Sequence, residues 1–357
     1  MKRSKMKRRR TPVGASPGTL IADPSAARST LRLTLISPEK CKTIDNAGLA
    51  DVAANCEKWP LLWLDCIGLG SVDLITEIGR LFKLHPLALE DVVNTGQRPK
   101  VDFFEDHAFV VLSMIDDVAT HRYEQVSVFF GKNFVVTFQE RVGDPFDPVR
   151  KRIDGPMPNR LRSRAADYLA YALIDAIVDS YFPPVEAASE VVDGIEDQML
   201  NTPQQGQMRQ LHELRRTTHG LKGVLWPLRD ALATLIRSEA HCVSADTKIF
   251  LNDTLDHAMR LIELVETQRD TITSLMEMHL SLSQARTNDI ISYLTIVSVI
   301  FMPLTFLVGV WGMNFSPDAS PWNMPELRAY YGYPFALLFL AAVALGLVGF
   351  FKWKKWL

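Results

Sequence analysis

Two charge-free apolar runs near the end of the chain constrain its fold more than any other feature. The first, Ile290 to Val310, contains no Asp, Glu, Lys, Arg or His. Wound as a helix it would be about 31 Å long, enough to cross the hydrocarbon core of a bilayer. The second, Pro334 to Phe351, is equally free of charge. Tyr330, Tyr331 and Tyr333 precede it and Trp353 and Trp356 follow it, which puts amphipathic rings at both water–lipid boundaries. Two core helices of a soluble enzyme would share the apolarity but not the basic and aromatic flanks, so two membrane spans are expected. Arg286 lies before the first span and Lys352, Lys354 and Lys355 lie after the second, whereas the intervening loop holds only Arg328 against Asp318 and Glu326. Basic residues stay on the cytoplasmic side. Both termini are therefore expected in the cytoplasm of a multi-pass protein of the cell inner membrane, with the loop outside.

The remainder of the 357 residues is long enough for one or two cytosolic domains. A net charge of −2 argues against nucleic acid as a partner, because phosphate binding needs a sustained basic surface. The Lys/Arg cluster in the first ten residues leads into Thr11-Pro12-Val13-Gly14 rather than an apolar stretch, so it is not a secretory signal. Cys41, Cys56, Cys66 and Cys242 show no CxxC pairing and read as reduced cytosolic thiols. Gly-rich phosphate loops and HExxH are absent, and no enzyme is expected.

Short β-prone runs at Leu31–Ile36, Leu61–Asp65, Ala108–Ile115, Val126–Phe130 and Phe134–Phe138 alternate with helical stretches at Val72–Phe82 and Pro86–Val93. Gly131-Lys132-Asn133 makes a hairpin-like turn between the last two runs. After Arg160 the pattern is helical. One helix, Ala165–Phe182, is expected to stop at Pro183-Pro184. Val185–Leu200 and Gln204–Arg237 form an antiparallel pair turned at Asn201-Thr202-Pro203, with a kink expected at Pro227. The last stretch before the loop can form one helix of about 65 residues, roughly 100 Å long. The chain, an α+β fold, is thus expected to divide into a basic tail lacking fixed structure over 1–30, an α/β domain over 31–150 and a helical region over 151–244. A stalk helix over 245–312, containing the first span at 290–310, leads to an external loop over 313–333, the second span over 334–351 and a basic cytosolic tail over 352–357.

Asn288, Ser292, Thr295, Ser298, Met302, Thr305 and Gly309 step by three or four along the first span, forming one mildly polar stripe. Such a stripe serves either dry helix packing or, with several copies facing inward, a pore wall. With no carboxylate or imidazole inside either span, a permeating ion meets no charged ligand in the membrane. That suits Mg2+, which gives up its water reluctantly. At the outer mouth the helix ends with its negative dipole pole, Asn314 adds an amide oxygen, and Glu326 and Asp318 add negative charge that attracts cations.

Gly312-Met313-Asn314, preceded by Phe301-Met302-Pro303-Leu304-Thr305-Phe306 and followed by Met324-Pro325-Glu326-Leu327, resembles the signature of the CorA family of divalent-cation channels. His85-Pro86-Leu87, Glu90-Asp91, Gln97-Arg98-Pro99-Lys100 and Phe146-Asp147-Pro148-Val149-Arg150 extend the resemblance into the cytosolic part. The resemblance implies a homopentameric funnel in the lipid bilayer that carries Mg2+ and also Co2+ or Ni2+. Gly312, Met313 and Asn314 would form its outer selectivity ring. Asn288, Ile291, Leu294, Met302 and Thr305 would line the path, with Leu294 and Met302 as gate candidates. It also implies regulatory Mg2+ between neighbouring subunits, with Asp91 and Asp253 as ligands and Glu90 and Asp175 nearby. The chain departs from the family in the insertion Ser316-Pro317-Asp318-Ala319-Ser320 and in the β-branched Ile291. A zinc transporter of the same superfamily is the nearest alternative. A membrane-anchored cytosolic sensor, with the hairpin as a tether, is the alternative from another class.

Overall fold

The computed structural model describes residues 14, 16–117, 122–155, 160–201, 206–316, 318, 320 and 322–356. They form two compact units, one ending at Leu275 and the other starting at Met276. The first is built on a seven-stranded sheet in the order β2-β1-β3-β7-β6-β5-β4. Its strands are β1 (Thr30–Ile36), β2 (Cys41–Asp45), β3 (Leu61–Ile67), β4 (Lys100–Phe103), β5 (His107–Asp117), β6 (Arg122–Gly131) and β7 (Phe134–Gln139). All neighbours are antiparallel except β3 and β7, which pair in parallel with Leu64 opposite Val136.

Both faces of the sheet are covered. Helices α1 (Leu49–Asn55), α2 (Val72–Leu81) and α3 (Pro86–Val93) bury Val52, Ile75, Ile78, Leu89 and Val92 with Leu64, Phe129 and Phe138 on one face. The other face takes Trp63, Val110, Val128 and Phe130. They pack with α4 (Asp147–Asp154), α6 (Ala166–Asp179), α8 (Gln207–Arg237) and the early part of α9 (Ala245–Trp311). Alternation along β3 sends Leu61 and Trp63 to one core and Leu62 and Leu64 to the other. That double burial is why the central strands read as near-continuous apolar runs. The short α5 (Arg160–Ser163) and the 20-residue α7 (Phe182–Asn201) complete this unit. The second unit holds the rest of α9 and α10 (Gly332–Trp353).

Several expectations need correction. Ser16–Ser29, expected to lack fixed structure, is held to the sheet domain: Gly70 N–H donates to Ala27 O at 2.8 Å and Ser29 N–H to Ser71 Oγ at 3.3 Å. The contact depends on glycine. A Cβ on Gly68, whose φ is +91°, would lie 2.5 Å from Arg28 O. The basic cluster itself lies outside the described residues. Strands β2 and β4 and helix α1 add to the expected elements. Pro183 and Pro184 do not stop α6, which ends at Asp179. They sit in the first turn of α7, where a missing N–H leaves no helical bond unmade. Pro227 is interior to α8, and the expected turn at Thr202-Pro203 lies outside the described residues.

One buried charge network ties the sheet to α4. Arg150 reaches Asp65 Oδ2 at 2.8 Å and Asp144 at 2.7 Å, while Thr137 Oγ1 and Gln139 Nε2 donate to Asp65 Oδ1. Its guanidinium also lies 5.3 Å from the centre of the Trp63 ring. Burial drives the Asp65 carboxyl pKa up; at Asp144 burial acts the same way, but the guanidinium outweighs it and the pKa falls. Arg150→Met would leave two carboxylates with 3% and 4% side-chain exposure lacking this counter-charge. A loss of about 3–5 kcal/mol is expected for a broken buried pair, read as a lower unfolding midpoint of the detergent-solubilised chain.

Glu124 on β6 is 4% exposed. Burial pushes its pKa from 4.5 up to about 7, although Arg141 N–H, at 2.8 Å from Oε1, works in the opposite direction. A raised folded-state pKa means that this group's contribution is fully present below 4.5 and is lost as pH rises through about 7. Glu124→Gln should therefore gain on the wild type between roughly pH 5 and pH 8, as measured by the difference in unfolding midpoints.

Candidate functional site

The membrane unit presents almost all of both apolar helices to its surroundings: only 6% of the most apolar window of α9, and of α10, is buried. Asn288, Ile291, Leu294, Thr295, Ser298, Met302, Thr305 and Gly309 are all exposed in the protomer, as are Phe301 and Phe306 on other faces of the same helix. The polar stripe and the apolar faces both await lipid or other copies. Ser298 Oγ donates to Leu294 O at 2.8 Å. Its proton is spent on its own helix, and its oxygen lone pairs face outward as acceptors. Acceptors are what the water shell of a cation needs.

Helix α9 ends where the sequence places the mouth. Gly312 N–H donates to Val308 O at 2.9 Å and Met313 N–H to Val310 O at 3.2 Å; beyond them Asn314 is exposed and outside any regular element. The carbonyl end of a long helix therefore opens onto Gly312-Met313-Asn314, carrying the negative pole of the dipole. Within the unit, Trp311 meets Phe339 of α10 edge-on at 6.1 Å between ring centres. The loop returns through a 3-10 turn, Pro325–Arg328, after Met324 in a left-handed conformation with φ 44°. Asp318 is ion-paired with Arg328, so a neighbouring guanidinium offsets part of its charge. Glu326 remains half-buried in the turn.

The cytosolic carboxylates fall into two groups. At the C-terminal end of α3, Glu90 Oε2 accepts from Gly18 N–H at 2.7 Å. Asp91 Oδ2 lies 2.8 Å from Lys100 Nζ, and its Oδ1 accepts from Gln97 Nε2 at 3.0 Å. Lys100 also pairs with Asp102 at 2.6 Å. Burial lowers the Lys100 pKa, but the two carboxylates outweigh it and the net shift is upward. On α6 and α9, Thr254 Oγ1 donates to Asp175 Oδ1 at 2.8 Å and His257 Nδ1 lies 3.1 Å from Asp179 Oδ1. One ligand atom from each of Asp175, Asp179 and His257 lies within 4.8 Å of the others, the one such cluster among the described residues. Burial raises the Asp175 pKa, and Asp179 and the exposed Asp253 add to that rise.

The fold keeps these groups apart. Helix α3 belongs to the core on one face of the sheet and α9 to the core on the other. The structure brings Asp175 and Asp253 into one electrostatic neighbourhood and Glu90 and Asp91 into another. Sequence reasoning missed His257 and Asp179 in the first and Lys100, Gln97 and Asp102 in the second. Asp175 and Asp179 stand four apart, which puts both on one face of α6; that signal was available.

Residues 60–355 match the family of CorA-like Mg2+ transporter proteins. The chain belongs to that family. It is 41% identical over 300 residues to the cobalt/magnesium transport protein CorA of Thermotoga maritima, covering 83% of each chain. It is 34% identical over 295 residues to the putative metal ion transporter YfjQ of Bacillus subtilis, covering 82% of this chain and 89% of that one. Its fold matches the complete structure of the CorA magnesium transporter from Methanocaldococcus jannaschii with a TM-score of 0.78 at 20% identity, over 92% of this chain and 99% of the other. As a CorA-like transporter the chain is a membrane protein and not an enzyme.

In this CorA-like chain the loop after Gly312-Met313-Asn314 is anchored at Gly332, where a Cβ would collide with Glu326 O. An added methyl group must push the turn off the start of α10. Gly332→Ala is expected to lower Mg2+ flux several-fold at equal amounts of inserted protein. Gly349→Ala, whose Cβ would meet nothing within 4 Å, should leave flux unchanged.

Proposed function

We propose that the chain is a channel for Mg2+ and Co2+, passing Ni2+ as well, assembled from five copies in the cell inner membrane with both termini in the cytoplasm. The α9 spans line its axis and the α10 spans face lipid. The observation that carries this reading is a charge-free, acceptor-bearing span that ends in Gly312-Met313-Asn314, left almost wholly exposed in a single protomer. An ion moving along it keeps most of its water, because hydroxyl oxygens, the Met302 thioether and the Asn314 amide replace little of a Mg2+ shell. Leu294 and Met302 close the path as apolar constrictions. The driving force is the membrane potential.

Internal Mg2+ gates the channel. Carboxylates are the hard oxygen donors that Mg2+ prefers, and Asp91 and Asp253 sit on elements covering opposite faces of one sheet. A cation shared by the two must therefore join neighbouring copies, with Glu90 and Asp175 beside it. Across such a boundary the carboxylates repel until a cation lies between them, so high internal Mg2+ favours the closed symmetric state and low Mg2+ releases it.

The His257 nitrogen beside Asp175 and Asp179 gives a mixed donor set that suits Co2+ or Zn2+ better than Mg2+. Zn2+ therefore belongs in the ion panel. The test is flux into proteoliposomes with graded internal Mg2+. Asn314→Ala should abolish Mg2+ flux in a correctly assembled protein; intact flux would leave the hairpin as a mere tether. Asp253→Ala should keep flux but raise the internal Mg2+ needed to stop it. Unchanged inhibition would defeat the gating scheme.

A further inference from the structure

We infer that Lys100 is a tethered counter-ion that competes with the divalent cation for Asp91 and so sets the cation concentration at which the channel closes. The inference rests on the reading of Asp91 as a regulatory ligand. It begins from the occupancy of that carboxylate: Oδ2 is 2.8 Å from Lys100 Nζ and Oδ1 accepts from Gln97 Nε2 at 3.0 Å. Both oxygens already have a partner supplied by the chain.

The arrangement is built by several elements rather than by one mobile side chain. Lys100 opens β4 and is held in register opposite Val111 of β5, with its Nζ 5.7 Å from the centre of the Phe109 ring. Gln125 of β6 donates from Nε2 to Asp91 O at 2.8 Å and accepts Gln97 N–H at 3.0 Å. The end of α3, the following loop, β4 and β6 thus fix the ammonium, the amide and the carboxylate together.

A divalent cation cannot ignore this ammonium. Mg2+ binds oxygen at about 2.1 Å, and a positive charge on the same oxygen both occupies a lone pair and repels the ion. Asp102 supplies the alternative. It lies 2.6 Å from the same Nζ, so an arriving cation can take Asp91 while Lys100 gives up that pair and keeps the one to Asp102. Lys100 then raises the threshold for closure, and Asp102 lowers it again by offering the lysine a second seat. Side-chain exposures of 26%, 35% and 42% for Asp91, Lys100 and Asp102 keep the trio in partial contact with water, so the effect is moderate.

The experiment compares the full-length wild type with Lys100→Met, Lys100→Gln, Asp102→Asn and Asp91→Asn in two readouts. One is the internal Mg2+ that halves flux in proteoliposomes. The other, independent of transport, is the Mg2+ concentration giving half of the ion-induced rise in unfolding temperature of the detergent-solubilised protein. Lys100→Met and Lys100→Gln are expected to lower both concentrations roughly one-and-a-half- to fivefold, the range for one partly screened charge pair. Asp102→Asn should raise both. If the Lys100 variants leave both unchanged or raise them, Lys100 only orients Asp91 or plays no part, and the inference is overturned while the regulatory reading stands. If Asp91→Asn itself leaves both unchanged, the regulatory reading fails first and takes the inference with it.

Discussion

Helix α9 has to satisfy two solvents, and the rest of the structure depends on its doing so without a break. Over its early turns it behaves as a wall of a folded domain: Leu251, Ala258, Leu261, Ile262, Val265, Ile272 and Leu275 are buried at helical spacing while Asn252, Asp253, Met259 and Arg260 are exposed. Over its last turns it is an apolar rod in which only Ile296 is buried and most side chains are exposed. In hydrocarbon each backbone N–H and C=O must be bonded internally, which leaves the helix as the sole form a single segment can take. Its hydrogen-bond ladder runs out at Gly312 and Met313. The carbonyl end of the helix is thereby delivered to Gly312-Met313-Asn314, the outer mouth of the proposed channel.

The sheet domain answers a different demand. Covering both faces of a mixed sheet with helices buries enough apolar surface to hold a buried Arg150–Asp65–Asp144 network in place. It also sets α3 and α9 on opposite sides. A protein meant to sense a cation within one copy would gather its carboxylates on one side. Here Asp91 and Asp253 stand on elements that cover opposite faces of the sheet, and in the proposed assembly copy number converts that separation into a joint. The charges that would repel in the joint are already partly managed within each copy: Lys100 sits on Asp91, and Thr254 and His257 partner Asp175 and Asp179.

What could be read from the residues follows the range of the interaction involved. The two spans were legible because their signal is an absence of charge over a length fixed by the bilayer, and the central strands because burial on both faces leaves uninterrupted apolar runs. Strands β2 and β4 were not. Cys41-Lys42-Thr43-Ile44-Asp45 and Lys100-Val101-Asp102-Phe103 are short, polar edge strands whose pairing is decided by their neighbours. The docking of Ser16–Ser29 depends on glycines some forty residues away. Pro183-Pro184 reads equally well as a stop or a start, because proline is tolerated in the first turn of a helix as well as just beyond its end. Among the site residues, Gly312-Met313-Asn314 was visible as a motif, whereas the pairing of Asp318 with Arg328 and of Asp91 with Lys100 arises from loop closure that no local pattern encodes.

The division of labour between span and domain follows from what conduction and sensing each require. An ion must leave a pore as readily as it enters, so the spans carry no carboxylate and offer only neutral acceptors such as the Ser298 hydroxyl and the Asn314 amide. In the proposed channel discrimination rests on the geometry of a hydrated ion, and ions with similar octahedral water shells pass together, so Mg2+ and Co2+ make natural companions. A sensor needs the reverse, a dehydrated contact strong enough to bias a conformation, and that requires charge. In the proposed scheme the charged donors accordingly lie outside both spans, in the domain, where a residue such as Lys100 can tune their affinity without touching the pore. Placing a carboxylate within the spans would merge the two tasks and trap the ion where it has to move.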